Sequence, residues 1–197
     1  MYPVILRVPE EIRDLDNRAR AAALGRYARQ ALERSGKRSG FFPQRLEKDR
    51  HGAPLPSSGV HWSISHKPEY VAGVVAKSFV GIDIETIRPV GSALFNRVCT
   101  GEEMRCFHGD DQDPLVLFFR TFTAKEAVLK AARIGLKGLS RTRVVASEGA
   151  STTVISLANE RYTVEHFINR GYIAAVVGNH ATVQWECEKT AFEPLTA

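Results

Sequence analysis

Tyr70-Val71-Ala72-Gly73-Val74-Val75-Ala76 and Tyr172-Ile173-Ala174-Ala175-Val176-Val177-Gly178 are near copies of one another, agreeing at four positions of seven. The remaining positions exchange one small or β-branched residue for another, and the offset is 102 residues. Such continuous apolar, β-branched runs read as buried strands. The offset recurs elsewhere. Moving the helix candidate at Pro114–Ala132 back by the same distance lands on residues 12–30, inside a second helix candidate, Arg13 to Arg34, rich in Ala, Leu and Arg. Two coincidences at one offset point to a duplicated unit. The expected fold is therefore α+β, with two similar halves related by a pseudo-twofold, each a mainly antiparallel sheet packed against a long helix. The halves are expected at residues 1–88 and 89–197.

Strand candidates fill in this frame. The first half offers Val60–Ser65, Tyr70–Ala76 and Phe79–Glu85; the second offers Arg143–Ser147, Thr152–Leu157, Tyr162–Ile168, Tyr172–Val177 and Thr182–Glu186. Turn residues separate them at Lys67-Pro68, Glu148-Gly149, Ala158-Asn159, Arg170-Gly171 and Gly178-Asn179. Asp113-Pro114 opens the second helix with a cap followed by proline at the first helical position, and Gly135 is the expected terminator.

Composition bounds the function classes. The 197 residues, 44% hydrophobic, suffice for a substantial core. The net charge is +5 and the pI about 9.3. The excess is local: residues 18–50 hold ten Arg or Lys against Glu33, Glu47 and Asp49. That bias suits an anionic partner, although a solvated basic face has the same composition. Cys99, Cys106 and Cys187 are odd in number and lack metal-ligand spacing, so they read as free thiols in a reducing compartment. Met1 to Arg7 is too short an apolar run for a signal peptide, and no segment approaches the ~20 apolar residues of a membrane span. A cytoplasmic, non-membrane protein is expected.

The chemistry lies in two acidic patterns about forty residues apart: Gly81-Ile82-Asp83-Ile84-Glu85, and Phe122-Thr123-Ala124-Lys125-Glu126-Ala127-Val128-Leu129-Lys130. On a strand, Asp83 and Glu85 share a face while Ile82 and Ile84 enter the core. On a helix, Glu126 and Lys130 share a face, with Phe118, Phe122, Leu129 and Ala132 available for a buried stripe. Two strand carboxylates, a third on a helix and an adjacent lysine can hold a hard divalent cation against a phosphate. The second copy has Val183, Gln184 and Trp185 where the first has its acidic strand, so such a site would lie between the halves. Ser63-Ile64-Ser65-His66 adds hydroxyl and imidazole donors suited to phosphate oxygens. His108-Gly109-Asp110-Asp111-Gln112-Asp113 reads as a polar loop ending in the helix cap.

Together, Ser-Ile-Ser-His66, Gly-Ile-Asp-Ile-Glu85 and Phe-Thr-Ala-Lys-Glu-Ala-Val-Leu-Lys130 resemble the 4′-phosphopantetheinyl transferases, specifically the larger, monomeric Sfp-like class and its enterobactin-synthetase-activating branch. The resemblance covers about Arg18 to Val177. It implies that Asp83, Glu85 and Glu126 bind Mg²⁺, with Mn²⁺ as a possible substitute. It implies that His66, Ser65, Lys125 and Lys130 contact coenzyme A. Lys130 and Glu126 are implied as catalytic, with Glu103 of Thr100-Gly101-Glu102-Glu103 as a further base. Arg18 and Arg20, or Arg13 or Arg26, would hold the 3′-phosphate. One departure stands out: Gly52-Ala53-Pro54 occupies the place of a Gly-Lys-Pro, and Lys48, Arg50 and His51 beside it carry no assignment.

The implied reaction moves 4′-phosphopantetheine from coenzyme A to a serine of an apo acyl or peptidyl carrier protein, as in secondary metabolite biosynthesis, and releases adenosine 3′,5′-bisphosphate. Residues 86–100 would dock the acidic carrier, with Leu94, Phe95 and Val98 as apolar contacts or, equally, as core. The rival is a Mg²⁺-dependent hydrolase of a nucleotide pyrophosphate. A nucleic-acid partner is not expected, because no basic strand carries interleaved aromatics.

Overall fold

The repeat becomes a pair of β-hairpins with identical pairing. The computed structural model describes residues 1–107, 113–169, 171–178 and 182–187. In chain order it contains β1 (Val4–Arg7), α1 (Glu10–Arg13), α2 (Asn17–Ser39), β2 (His61–His66), β3 (Tyr70–Ala76) and β4 (Val80–Thr86). There follow α3 (Ser92–Val98), α4 (Gly101–Arg105), α5 (Pro114–Ala131), a 3-10 helix (Leu136–Arg141), β5 (Thr142–Glu148), β6 (Thr152–Leu157), β7 (Glu160–Asn169), β8 (Tyr172–Gly178) and β9 (Glu186–Cys187). In the β2–β3 hairpin Trp62 faces Val75; in β7–β8, Val164 faces Val177, the same pairing 102 residues later. The duplication thus extends to strand register.

Two sheets result, β2-β3-β1-β9 and β4-β8-β7-β6-β5, antiparallel apart from the β1–β9 pair. The α+β class is as expected. Hydrogen bonding divides the chain between β3 and β4 rather than at residue 88, since β4 pairs with β8 from Val80↔Gly178 to Thr86↔Tyr172. In return β9 crosses to the first sheet beside β1.

Alternation along each strand builds the layers. Ile5, Ala72, Val74, Ile82, Ile84, Ala174 and Val176 form the core shared by both sheets. On the far face of the first, Val4, Leu6 and Val71 meet Leu24, Ala28 and Ala31 of α2. On the far face of the second, Ile173, Ala175 and Val177 meet α5.

Local chemistry explains the boundaries that differ from expectation. The first helix candidate divides into α1 and α2 because Asp16 caps α2, its Oδ1 accepting from the amides of Arg18 and Ala19. Gly40, at φ 74°, ends it. After α5 both Arg133 (φ 58°) and the expected Gly135 (φ 68°) take positive φ, Arg133 first. β1 is buried and interior, although its four residues drew no strand assignment. The residues from Thr182 supply a strand only at Glu186–Cys187. Arg170, Asn179 and the loop from His108 to Gln112 lie outside the described residues.

Candidate active site

Gly81 sets the distance between β4 and α5. A Cβ there would fall on the Ala127 carbonyl oxygen and lie 2.8 Å from the Ala131 amide. Without a side chain the strand lies against the helix backbone, and the next residues on that strand face, Asp83 and Glu85, come opposite Glu126 and Lys130. α5 is placed by the Asp113 cap, whose Oδ1 accepts from the Leu115 amide, and by Pro114 in its first turn. It is buried on nearly every face, and Phe118 and Leu129 are core while Phe122 is only partly covered.

The two edge strands β2 and β4 are joined by serines. Ser63 Oγ accepts the Ile82 amide at 3.1 Å, and Ser65 Oγ donates to Asp83 Oδ1 at 2.8 Å. The first bond occupies an edge amide that would otherwise be open. The second fixes the Asp83 carboxylate. Lys130 Nζ completes it, 2.7 Å from Asp83 Oδ1 and 3.0 Å from the Ile82 carbonyl oxygen. Lys67 Nζ makes the equivalent contact with Glu85 Oε1 at 2.7 Å.

Each carboxylate nevertheless keeps one oxygen in reserve. Asp83 Oδ2, Glu85 Oε2 and Glu126 Oε1 are buried and, among the described residues, without a hydrogen-bond partner. Buried acceptors are rarely left so, and three on one cluster call for a ligand. Burial raises the pKa of Glu85, opposed by Lys67 and reinforced by Asp83. Burial, then the charges of Asp83 and Glu85, push Glu126 up to about 7. Among the described residues no three His, Cys, Asp or Glu side chains stand together in an arrangement that would hold a metal ion. Lysines hold two of the carboxylates from one side, and the free oxygens define the other. Three oxygen donors with net negative charge fit a hard cation such as Mg²⁺.

His66 ends β2 at the rim. Its pKa is lowered by partial burial first, then by the charges of Lys130, Lys67 and Lys48. The lowered pKa favours the neutral imidazole, whose ring N–H can donate to an anion. Lys67 was not legible as a site residue. The signal for Lys67 was its place directly after His66, where it had been read only as part of a turn.

Not all of the expected residues join this cluster. Glu103 and Lys125 form a separate buried pair, Nζ to Oε1 2.6 Å, each side chain 2% exposed. Glu103 also accepts from the Thr100 and Val144 amides, and Lys125 donates to the Val98 carbonyl oxygen. Burial favours the neutral acid at Glu103, but Lys125 and the two amides together outweigh it and the pKa is lowered. With its oxygens committed to these partners, Glu103 serves as the N3 member of the Thr100 capping box rather than as a base. Arg18 and Arg20 sit at the start of α2, where Arg20 donates to the Arg13 carbonyl oxygen and Asn17 Oδ1. Of the three apolar residues expected to dock a carrier, Val98 is buried, Phe95 stacks on Phe118, and Leu94 alone is exposed, at 42%.

Comparison with known proteins follows the same lines. The family model of the 4′-phosphopantetheinyl transferase superfamily matches residues 79–177, the span that holds β4 and α5. A Haemophilus influenzae protein named as a candidate 4′-phosphopantetheinyl transferase is 34% identical over 122 residues, covering 58% of this chain and 51% of the relative. The 4′-phosphopantetheinyl transferase psf-1 of Bacillus pumilus is 31% identical over 115 residues, covering 55% and 48%. The 4′-phosphopantetheinyl transferase gsp of Aneurinibacillus migulanus is 30% identical over 92 residues, covering 46% and 39%. The chain spans about half the length of the curated relatives it matches, or less.

Proposed function

This chain belongs to the 4′-phosphopantetheinyl transferase superfamily, and on that premise we propose that it transfers 4′-phosphopantetheine from coenzyme A to a serine of an acyl or peptidyl carrier protein. The observation that carries the reading is the set of three unpartnered buried oxygens, Asp83 Oδ2, Glu85 Oε2 and Glu126 Oε1, beside Lys130, Lys67 and His66. Acidic and basic groups divide the work in such a site. Asp83, Glu85 and Glu126 would hold Mg²⁺, which when bound offsets the charge that builds as a phosphoanhydride breaks.

Lys130 and Lys67, already fixed by Asp83 and Glu85, present their remaining N–H bonds to the pyrophosphate, and His66 offers its ring N–H to the same group. The incoming serine oxygen forms a bond to the β-phosphorus as the bond from that phosphorus to the bridging oxygen breaks. Adenosine 3′,5′-bisphosphate leaves with the bridging oxygen. The serine proton passes to Glu126, the half-buried carboxylate at the β4–α5 cleft, directly or through a water. No nucleophile from the enzyme itself is needed.

The partners follow from charge. The basic chain favours encounter with an acidic carrier, and exposed Leu94 on α3 is an apolar contact for it. Among the described residues no helix is long and apolar enough to cross a membrane. The cysteines are unpaired, in keeping with an enzyme of the reducing cytoplasm.

The test is intact-protein mass spectrometry of apo carrier proteins after incubation with the full chain, Mg²⁺ and coenzyme A. A phosphopantetheine mass increase on at least one carrier is expected. No increase on any of several carriers, with the enzyme folded, overturns the transferase reading, and carrier-independent consumption of coenzyme A would establish the hydrolase instead.

A further inference from the structure

We propose that Lys67 makes capture of the divalent cation depend on the phosphate substrate, by holding on Glu85 a positive charge that only the pyrophosphate of coenzyme A offsets; this rests on the transferase reading above. Lys67 opens the turn between β2 and β3, its amide donating to the Tyr70 carbonyl oxygen at 2.7 Å. Pro68 follows and stiffens the chain there. Two side-chain contacts fasten this turn to the end of β4. Lys67 Nζ lies 2.7 Å from Glu85 Oε1, and Glu69 Oε2 accepts from Thr86 Oγ1 at 3.0 Å. The Lys67 side chain is 33% exposed and that of Glu85 5%, so the ammonium reaches inward from solvent to a carboxylate that water scarcely touches. Little solvent screens the charges at that point, and their mutual effects are strong.

Formal charge decides what such a cluster will accept. Three carboxylates, Asp83, Glu85 and Glu126, stand with two ammonium groups, Lys130 on Asp83 and Lys67 on Glu85, which leaves one negative charge. A divalent cation alone at the unpartnered oxygens makes the cluster positive. Lys67, on the other oxygen of Glu85, then repels it. The doubly charged pyrophosphate returns the cluster to a negative charge and gives the Lys67 ammonium an anion of its own. Take Lys67 away and two negative charges remain, which one divalent cation matches unaided. Lys67 thus weakens the cation by itself and favours the cation together with coenzyme A. The coupling is reciprocal, so the cation tightens coenzyme A by the same factor.

The test is Mn²⁺ titration of the full chain by electron paramagnetic resonance, without and with coenzyme A, on wild type, Lys67→Met and Lys67→Arg. Met keeps the length of the stem and loses the charge. Without coenzyme A, Lys67→Met is expected to bind Mn²⁺ about tenfold more tightly than wild type, the effect of removing one nearby positive charge. Coenzyme A should then tighten Mn²⁺ by a factor about tenfold smaller in Lys67→Met than in wild type. Lys67→Arg keeps the charge and should follow wild type in both titrations, which a purely structural role would not require. Thermal melting gives a second reading: Mn²⁺ alone should raise the melting temperature of Lys67→Met more than that of wild type. Binding of Mn²⁺ alone by Lys67→Met within about twofold of wild type, or more weakly, removes this role of Lys67. If wild type still modifies its carrier, the transferase reading stands without it. The expected Mn²⁺ titrations with no carrier modified would instead overturn the transferase reading and leave Lys67 as a restraint on the cation.

Discussion

Replacing Glu103 with Gln separates the structural role seen here from a catalytic one. The carboxylate sits 2.6 Å from Lys125 Nζ and accepts the Thr100 and Val144 amides at 2.9 and 3.0 Å. Gln keeps the shape but removes the charge, and its NH₂ group must face one of these three donors. Lys125 is then a buried cation without its counter-charge, held by neutral acceptors such as the Val98 carbonyl oxygen. Losing one member of a buried pair costs about 3–5 kcal/mol. For a chain of this size each kcal/mol moves the melting temperature by about 2–4 °C, so a fall of roughly 6–20 °C is expected by calorimetry. Transfer activity, measured well below the transition, should stay within a few-fold of wild type. The reasoning is refuted if Glu103→Gln melts like wild type yet fails to modify the carrier, since Glu103 would then act in the chemistry.

The same pair fixes a pH dependence. The folded-state pKa of Glu103 is lowered, so its stabilisation is complete above the unfolded value and drains away as pH falls through the folded one. Acid titration of wild type should show this loss, and Glu103→Gln should not. Gly81→Ala should lower the melting temperature and transfer together, because the new methyl falls on the α5 backbone and prises β4 from Glu126; accommodation costs about 1–3 kcal/mol or more. Asp83→Ala should reduce transfer to near background while circular dichroism stays native, and retention of most activity would remove Asp83 from the ligand set. Chelation of divalent cations should stop the reaction, with recovery on adding Mg²⁺ or Mn²⁺; full activity in excess chelator would contradict the oxygen-ligand reading.

Much of this molecule was legible because its signals are local or repeated. Tyr70–Ala76 and Tyr172–Gly178 revealed the duplication, and the paired register of their hairpins carries it into three dimensions. Strand alternation placed Asp83 and Glu85 on one face, and helical spacing did the same for Glu126 and Lys130. Residues whose partners are remote were harder to read. Val4–Arg7 is too short to signal a strand and becomes one by pairing with β3. β4 follows β3 in sequence, yet it joins β8, because crossing between sheets leaves no local trace. Lys125-Glu126 looked like one charged element, whereas adjacent helix positions point about 100° apart, one to Glu103 and the other to the cleft. Lys67 stood among ordinary surface lysines until folding set its ammonium 2.7 Å from Glu85.

The central claim is that carboxylates from β4 and α5 act as a single cation clamp. Titration of Mn²⁺ by electron paramagnetic resonance, with coenzyme A present, tests it on wild type and on Glu126→Gln. Wild type should bind one Mn²⁺ per chain, and Glu126→Gln should lose that site while its fold and melting temperature persist. Undiminished Mn²⁺ binding by the variant would mean that strand and helix do not share an ion.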